Sequence, residues 1–223
     1  MNASSVPSES NVANSISNEL IETTVDLQVD YLELGLDSVF DDAIIKDIPF
    51  VKTIYSLAKI GYNIKERLFV KKMLLFLKEF YTRTVDPGKL HEFREKFKND
   101  QKYRNKVTEM IIVYNDSFLD AEKSKIFARL FSAYISGHFD WDHFRHLSSC
   151  LNDLKYEGVR FLTQLSNSDF KIPESRPEGS PKRDFDNEAL LSSGGIAYTA
   201  GVWSSGFYVT QAGRDLFNFG IAE

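Results

Sequence analysis

The sequence predicts a mainly α fold, a helical bundle that carries a small C-terminal α+β module built around a β-hairpin. Three observations support this fold class. Apolar residues recur three and four positions apart over most of the chain, which is the spacing of one helical face. After about residue 170 the sequence changes to β-forming and glycine-containing segments. The composition, 43% hydrophobic and 26% charged, is that of a globular protein and excludes collagen-like and wholly disordered chains.

Composition also narrows the class of protein. The single cysteine excludes a disulfide scaffold. The chain has no run of about 18 uncharged apolar residues that could span a membrane, and its first residues lack the basic start and apolar core of a secretory signal. We therefore expect a cytoplasmic protein.

Charge is distributed in three blocks. Residues 1–51 carry a net charge of -9, residues 52–110 of +8 and residues 111–223 of -4. Such blocks have two interpretations: the acidic segment folds back on the basic one, or the basic block faces a polyanion.

The first elements follow from local composition. Residues 1–15 are rich in Ser and Asn and are predicted to be a disordered tail. A helical domain is expected over 16–168, beginning with an apolar face at Ile16, Leu20 and Ile21. Residues 25–31 also alternate as a half-buried strand would, although the helical character downstream favours a helix.

A long helical segment is predicted from Pro49, which suits a first helical position. Gly61 is the expected break in it, and Asp86-Pro87-Gly88 is a turn that ends it. Further helices are predicted over 89–97, from Asn99-Asp100, over 119–136 with Gly137 as its stop, over 141–154 with Asp140 as N-cap, and over 157–165.

The C-terminal region has a different pattern. Residues 169–186 hold three prolines and mixed charge and are predicted to be a linker. Residues 187–223 are predicted to form a short helix, a β-hairpin with a turn at Ser204-Ser205-Gly206, and a closing helix.

The segment with Tyr208, Thr210, Gly213 and Leu216 resembles the second wing strand and closing helix of winged-helix domains. The resemblance implies a winged-helix-like module that includes helices from about residue 145. In such folds the helix before the hairpin enters the major groove and the wing touches the DNA backbone. Residues 186–191 are acidic and apolar, the wing offers Trp203, Ser204 and Ser205, and only Lys182 and Arg183 stand nearby. This pattern favours a protein contact or a structural role over DNA reading.

A second similarity covers residues 32–80. Lys46 to Pro49, Lys59 to Gly61, and Phe69 to Lys72 resemble motifs of an uncharacterised family of bacterial helical proteins. This resemblance implies an intracellular bacterial protein, with a role in stress or anti-phage responses as one expectation. The family carries no established catalytic residues to transfer.

Basic residues concentrate in one predicted helix, among aromatic and apolar ones. A surface that binds phosphates or lipid headgroups needs such cations on an exposed face, whereas on a core helix they are its solvated side. The candidate residues for binding a polyanion or another partner are Lys59, Lys65, Arg67, Lys71, Lys72 and Lys78.

Metal-ligating residue types are dense around residue 145. Asp142, His146 and Cys150 recur every four residues, and His143 lies beside them, so they are weak candidates for a metal site or a Cys–His nucleophile. No paired metal motif and no phosphate-binding glycine loop supports catalysis. Asp140 and Asp142 also suit a helix start, and a small buried cysteine is the simpler interpretation.

These observations favour a non-enzymatic interaction or regulatory protein with no cofactor and with another protein as its partner. Binding of nucleic acid or of an anionic membrane surface through the basic helix is the alternative. A metal- or thiol-dependent enzyme is the third hypothesis.

Overall fold

The predicted fold class is confirmed in a computed structural model that describes residues 9–22, 48–57, 64–172, 183–201 and 206–222. These residues are mainly helical and contain a small antiparallel sheet near the C terminus. Several predictions lie outside the described residues: the tail over 1–8, the choice between helix and strand at 25–31, the break at Gly61, Lys59, and the wing residues Trp203, Ser204 and Ser205.

The described residues form ten α-helices. Their bounds are α1 Glu9–Glu22, α2 Pro49–Leu57, α3 Ile64–Thr82, α4 Pro87–Asn99, α5 Gln101–Ser117, α6 Glu122–Ile135, α7 Trp141–Asp153, α8 Tyr156–Ser166, α9 Phe185–Ser193 and α10 Gln211–Leu216, the last continuing as a π-helical turn over Phe217–Ile221. None of them combines the length and the apolar character that crossing a membrane requires.

Local capping chemistry sets several of these bounds. The carboxylates of Asp86, Asp100 and Asp140 each accept a hydrogen bond from the backbone N–H three residues later, at the starts of α4, α5 and α7. Gly137 follows α6 with a φ of 80°, a left-handed conformation that glycine adopts without a steric penalty.

Three predicted boundaries were wrong. Residues 9–15 belong to α1 and not to a disordered tail. Asp86-Pro87-Gly88 is the capped start of α4 and not a turn, because Pro87 fits a first helical position. The predicted linker over 169–186 contains strand β1, Lys171–Ile172, and the first residues of α9.

The chain divides into two compact units, residues 1–124 and residues 125–223. In the first unit α5 is central, because α1, α3 and α4 all pack on it. Its core includes the fully buried side chains of Leu20, Phe50, Phe76 and Phe97.

The second unit joins α7, α8 and most of α6 to the hairpin, so the C-terminal module begins further upstream than the predicted residue 145. Its helical core is aromatic. Phe144 is fully buried, with the rings of Phe127, Phe131, Tyr134 and Trp141 at centroid distances of 5.5–5.7 Å.

The sheet of the second unit is winged-helix-like. Strands β2, Ala197–Ala200, and β3, Gly206–Val209, form the predicted hairpin. The strand order is β1-β3-β2, with β3 antiparallel to both neighbours. Helix α9 precedes the hairpin and α10 follows it. Among the described residues β2 pairs only with β3, so β2 is an edge strand of this sheet.

Candidate interaction surface of the C-terminal unit

The segment that carries the winged-helix resemblance closes the hairpin onto α10. Thr210 is the N-cap of α10, and its hydroxyl accepts a hydrogen bond from the backbone N–H of Gly213. Leu216 is fully buried. A Cβ at position 213 would lie 2.4 Å from Val209 Cγ1 and 2.5 Å from the carbonyl oxygen of Ile196. Glycine is therefore required for α10 to approach the hairpin closely.

We expect Gly213→Ala to destabilise the protein by about 2–3 kcal/mol, because the new methyl group overlaps a backbone oxygen that cannot move without the strand. Urea-induced unfolding measures this change. Gly194→Ala is the control, since a Cβ there would lie no nearer than 3.6 Å to any atom, an ordinary van der Waals distance. Equal effects of the two substitutions would contradict the close approach.

A buried ion pair sets the start of α9. Arg183 Nε donates to Oε1 and Oε2 of Glu188 at 2.6 and 2.9 Å, and the side chains of Arg183 and Glu188 are 12% and 5% exposed. The Glu188 carboxylate also accepts a hydrogen bond from the backbone N–H of Asp184. The hydrogen bond between Arg183 and Glu188, together with the negative charge of that carboxylate, raises the pKa of Arg183 above its ordinary value. Arg183 is therefore paired with Glu188 and largely buried, and it is not the exposed cation that its position near the wing suggests.

A hollow of about 640 Å³ lies between α8 and the start of α9. Phe161 and Leu165, both buried, line it from α8. Phe185 lines it from α9 and is 70% exposed, with the Arg183 guanidinium 4.8 Å from its ring centroid. The hollow therefore exposes a large aromatic side chain, which is a common anchor of protein interfaces.

The hairpin has one buried and one exposed face. Ala197, Phe207 and Val209 share the buried face. Tyr198 and Tyr208 are directly opposite each other on the other face, with ring centroids 5.6 Å apart and stacked. Tyr198 is 51% exposed, so the pair presents an aromatic surface at the edge of the sheet.

The backbone of β2 points outward at Thr199. The backbone N–H of Val209 donates to the carbonyl oxygen of Phe170, so it points towards β1. Because the direction of backbone N–H and C=O groups alternates along a strand, those of Tyr208 and of its partner Tyr198 point towards each other, between β3 and β2. The N–H and C=O of Thr199 then face away from β3. The sequence from Ala189 to Gly213 has no charged residue. Natural sheets usually protect such an edge with a charge, a proline or a bulge.

The basic helix α3 does not present all its cations to solvent. Lys65 and Arg67 are exposed, whereas Lys71 and Lys78 are half-buried. Lys72, predicted among the polyanion-binding residues, is 6% exposed, and its Nζ donates to the carbonyl oxygens of Asp116 and Phe118 at 2.7 and 3.0 Å. That assignment was wrong, because Lys72 neutralises the unpaired carbonyls at the end of α5.

The histidine and cysteine cluster does not converge on one point. His143 Nε2 lies 2.9 Å from Asp215 on α10, His146 Nε2 lies 3.8 Å from Cys150 Sγ, and Asp142 pairs with Arg145. In the described part of the chain, no three such side chains are placed to hold one metal ion. Burial raises the pKa of the Cys150 thiol, and the Asp153 carboxylate raises it further, which disfavours the nucleophilic thiolate.

Sequence reasoning did not identify Glu188, Phe185 or Asp215 as functional or organising residues. Glu188 lies five residues after Arg183, across a helix start, and this spacing matches no helical pairing rule. Asp215 reaches His143 from 72 residues away. The only indication in the sequence was the group of acidic residues at the predicted start of α9.

Fold and site together define a helical protein with a winged-helix-like C-terminal unit, whose exposed hairpin surface is aromatic and uncharged. Comparisons of the chain with protein-family models, with curated proteins and with solved structures give no significant match.

Proposed function

We propose that this is a non-enzymatic interaction or regulatory protein that binds a partner protein at the edge strand β2. The partner supplies an extended segment that adds to the sheet as a further strand, hydrogen-bonded to the outward N–H and C=O of Thr199. The observation that carries the proposal is that the backbone N–H and C=O of Thr199 point away from β3, on an edge strand without charged residues.

The chemistry of the surrounding surface supports a protein as the partner. The Tyr198–Tyr208 pair offers a stacked aromatic face beside the edge, and aromatic side chains are enriched at protein interfaces. A DNA backbone needs several cations, but α9, β2 and β3 contain no lysine or arginine. The similarity of residues 32–80 to bacterial helical proteins favours a cytoplasmic protein of stress or anti-phage responses, and we include this role in the proposal.

The test is co-purification from the native cell with a substitution that blocks the edge. We expect the wild-type protein to retain a stoichiometric partner that Thr199→Lys loses, because an edge lysine opposes strand addition. Thr163→Lys, at an exposed position of α8, is the matched control and should keep the partner. Thermal unfolding checks that both variants fold. Retention of the same partner by Thr199→Lys, or absence of any stoichiometric partner, would overturn the proposal.

Binding of a polyanion through α3 is the second candidate function. Lys65 and Arg67 are exposed there beside Ile64 and Leu68, which are 77% and 48% exposed. Cations next to exposed aliphatic side chains are typical of surfaces that bind anionic lipid headgroups. The alternative predicts salt-sensitive binding to anionic vesicles, or to DNA, that Lys65→Glu/Arg67→Glu removes. Unchanged binding by that variant would exclude it, and the two probes separate membrane from nucleic acid.

A further inference from the structure

The accessible part of strand β2 is short and centred on one residue. Ala197 is 7% exposed, whereas the three residues that follow it, 198–200, are all exposed. Thr199 is the middle residue of this stretch, and its backbone N–H and C=O point away from β3. A strand that adds to this edge therefore forms its hydrogen bonds around Thr199.

An antiparallel copy of β2 satisfies this backbone exactly once on each side. When two antiparallel strands are related by a two-fold axis through Thr199, this residue lies opposite itself as a hydrogen-bonded pair. Each Thr199 then donates its N–H to the carbonyl oxygen of the other and accepts the reciprocal bond. The two threonine side chains also form a favourable cross-strand pair.

Side-chain sizes on the exposed face fit the same register. Tyr198 and Ala200 share that face, because side chains two positions apart point to the same side of a strand. The two-fold axis places Tyr198 of one copy opposite Ala200 of the other, so that a large side chain meets a small one twice. The stacked rings of Tyr198 and Tyr208, with centroids 5.6 Å apart, then lie beside the same pair of the second copy.

The charge pattern favours a copy of this chain over an unrelated strand. A charged side chain close to a two-fold axis lies near its own copy, and like charges opposite each other are destabilising. The sequence from Ala189 to Gly213 has no charged residue, so this repulsion is absent. A different partner gains specificity and association rate from complementary charges, and this edge has no charge to complement.

We propose that the partner at β2 is a second copy of this chain, so that the protein is a two-fold symmetric dimer. The three strands of each copy join into one antiparallel sheet, in the order β1-β3-β2-β2-β3-β1. Pairing also protects the edge, which natural sheets avoid leaving open. This inference rests on the proposed function, because it names the occupant of the same edge.

The first test is sedimentation velocity of the full chain at increasing concentration. We expect a dimer whose fraction grows with concentration by mass action. Thr199→Lys should weaken dimerisation by at least about tenfold, because it places two ammonium groups at the axis. Thr199→Val keeps the backbone bonds and the β-forming character, so it is the control and should remain a dimer. Thermal unfolding checks that both variants fold.

The second test is cysteine cross-linking, which reports the register. The Cα atoms of a hydrogen-bonded pair are about 5.5 Å apart, within the range that a disulfide spans. Thr199→Cys should therefore form an intermolecular disulfide under mild oxidation. In the control Ala200→Cys the two cysteines are offset by about 7 Å along the strands, in addition to the separation between the strands, which is too far to bridge. The native Cys150, 4% exposed, is common to both variants.

The outcomes separate this inference from the proposed function. The dimer is overturned if the wild type stays monomeric at every concentration, if Thr199→Lys dimerises as the wild type does, if Thr199→Val dissociates, or if Ala200→Cys cross-links as readily as Thr199→Cys. A monomeric wild type that still retains a different protein from the native cell, lost in Thr199→Lys, overturns the dimer alone and leaves the proposed function standing. If both hold, the partner retained from the native cell is an untagged copy of this chain.

Discussion

Replacement of Glu188 by alanine is expected to destabilise the protein by about 3–5 kcal/mol, the cost of removing one partner from a buried ion pair. The substitution removes the carboxylate to which the guanidinium of Arg183, 12% exposed, donates its hydrogen bonds. It also removes the acceptor for the backbone N–H of Asp184, at the N-cap of α9. Urea-induced unfolding, followed by circular dichroism, measures the change.

A matched control lies on the same helix. Asp186 is an exposed carboxylate in the first turn of α9. Asp186→Ala should cost no more than about 1 kcal/mol, the worth of an exposed charge at a helix N-terminus. A comparable loss for the two substitutions would show that Glu188 acts through the helix dipole alone.

The double variant Arg183→Leu/Glu188→Leu tests the pair itself. Replacing both partners removes the guanidinium and the carboxylate together, so neither charge is buried without the other. We expect the double variant to be less destabilised than the sum of the two singles by at least about 1 kcal/mol. Additive effects would contradict a direct coupling between the two side chains.

Helix starts could be predicted from the sequence because their chemistry is local. Asp100 and Asp140 cap helices at the predicted positions, and Pro49 begins α2 as expected. Each of these signals lies within three residues of the boundary that it sets. The hairpin was also predictable, since its β-forming segments are separated by a short turn.

Elements that depend on distant partners could not be predicted in this way. Strand β1 has two residues, and its register places Lys171 opposite Tyr208, far along the chain. The two carbonyl oxygens that Lys72 contacts belong to residues 44 and 46 positions away. No local periodicity in the sequence reports such contacts.

The burial of Lys72 did leave a signal that was not used. Met73 to Leu77 are five consecutive apolar residues, and all of them are buried. A helix that is apolar all round is buried all round, so a lysine next to this segment must either reach solvent or find acceptors. Lys72 finds them at the end of α5, whereas Lys71 and Lys78 remain half-exposed.

Replacement of Lys72 by methionine is expected to destabilise the protein by about 2 kcal/mol at neutral pH. Methionine keeps the length of the side chain but cannot donate to the carbonyl oxygens of Asp116 and Phe118, and a buried unpaired acceptor costs about 1–3 kcal/mol. Methionine also avoids the free-energy cost of burying an ammonium group, and this offsets part of the loss. Lys71→Met is the control, and it should change the free energy of unfolding by less than about 0.5 kcal/mol.

The pH dependence gives a second readout of the same contact. Burial lowers the pKa of Lys72 below its ordinary value, and the nearby Asp116 carboxylate offsets this only in part. Between the lowered pKa and the ordinary one the unfolded chain binds more protons at this site than the folded chain, so the free energy of unfolding rises with pH. Unfolding measured from pH 7 to about pH 10 should therefore show the advantage of the wild type over Lys72→Met growing as the pH rises. If this advantage shrinks as the pH rises, the folded protein stabilises the charged form of Lys72 relative to water. The contact would then be an ion pair with Asp116 and not a desolvated cap of α5.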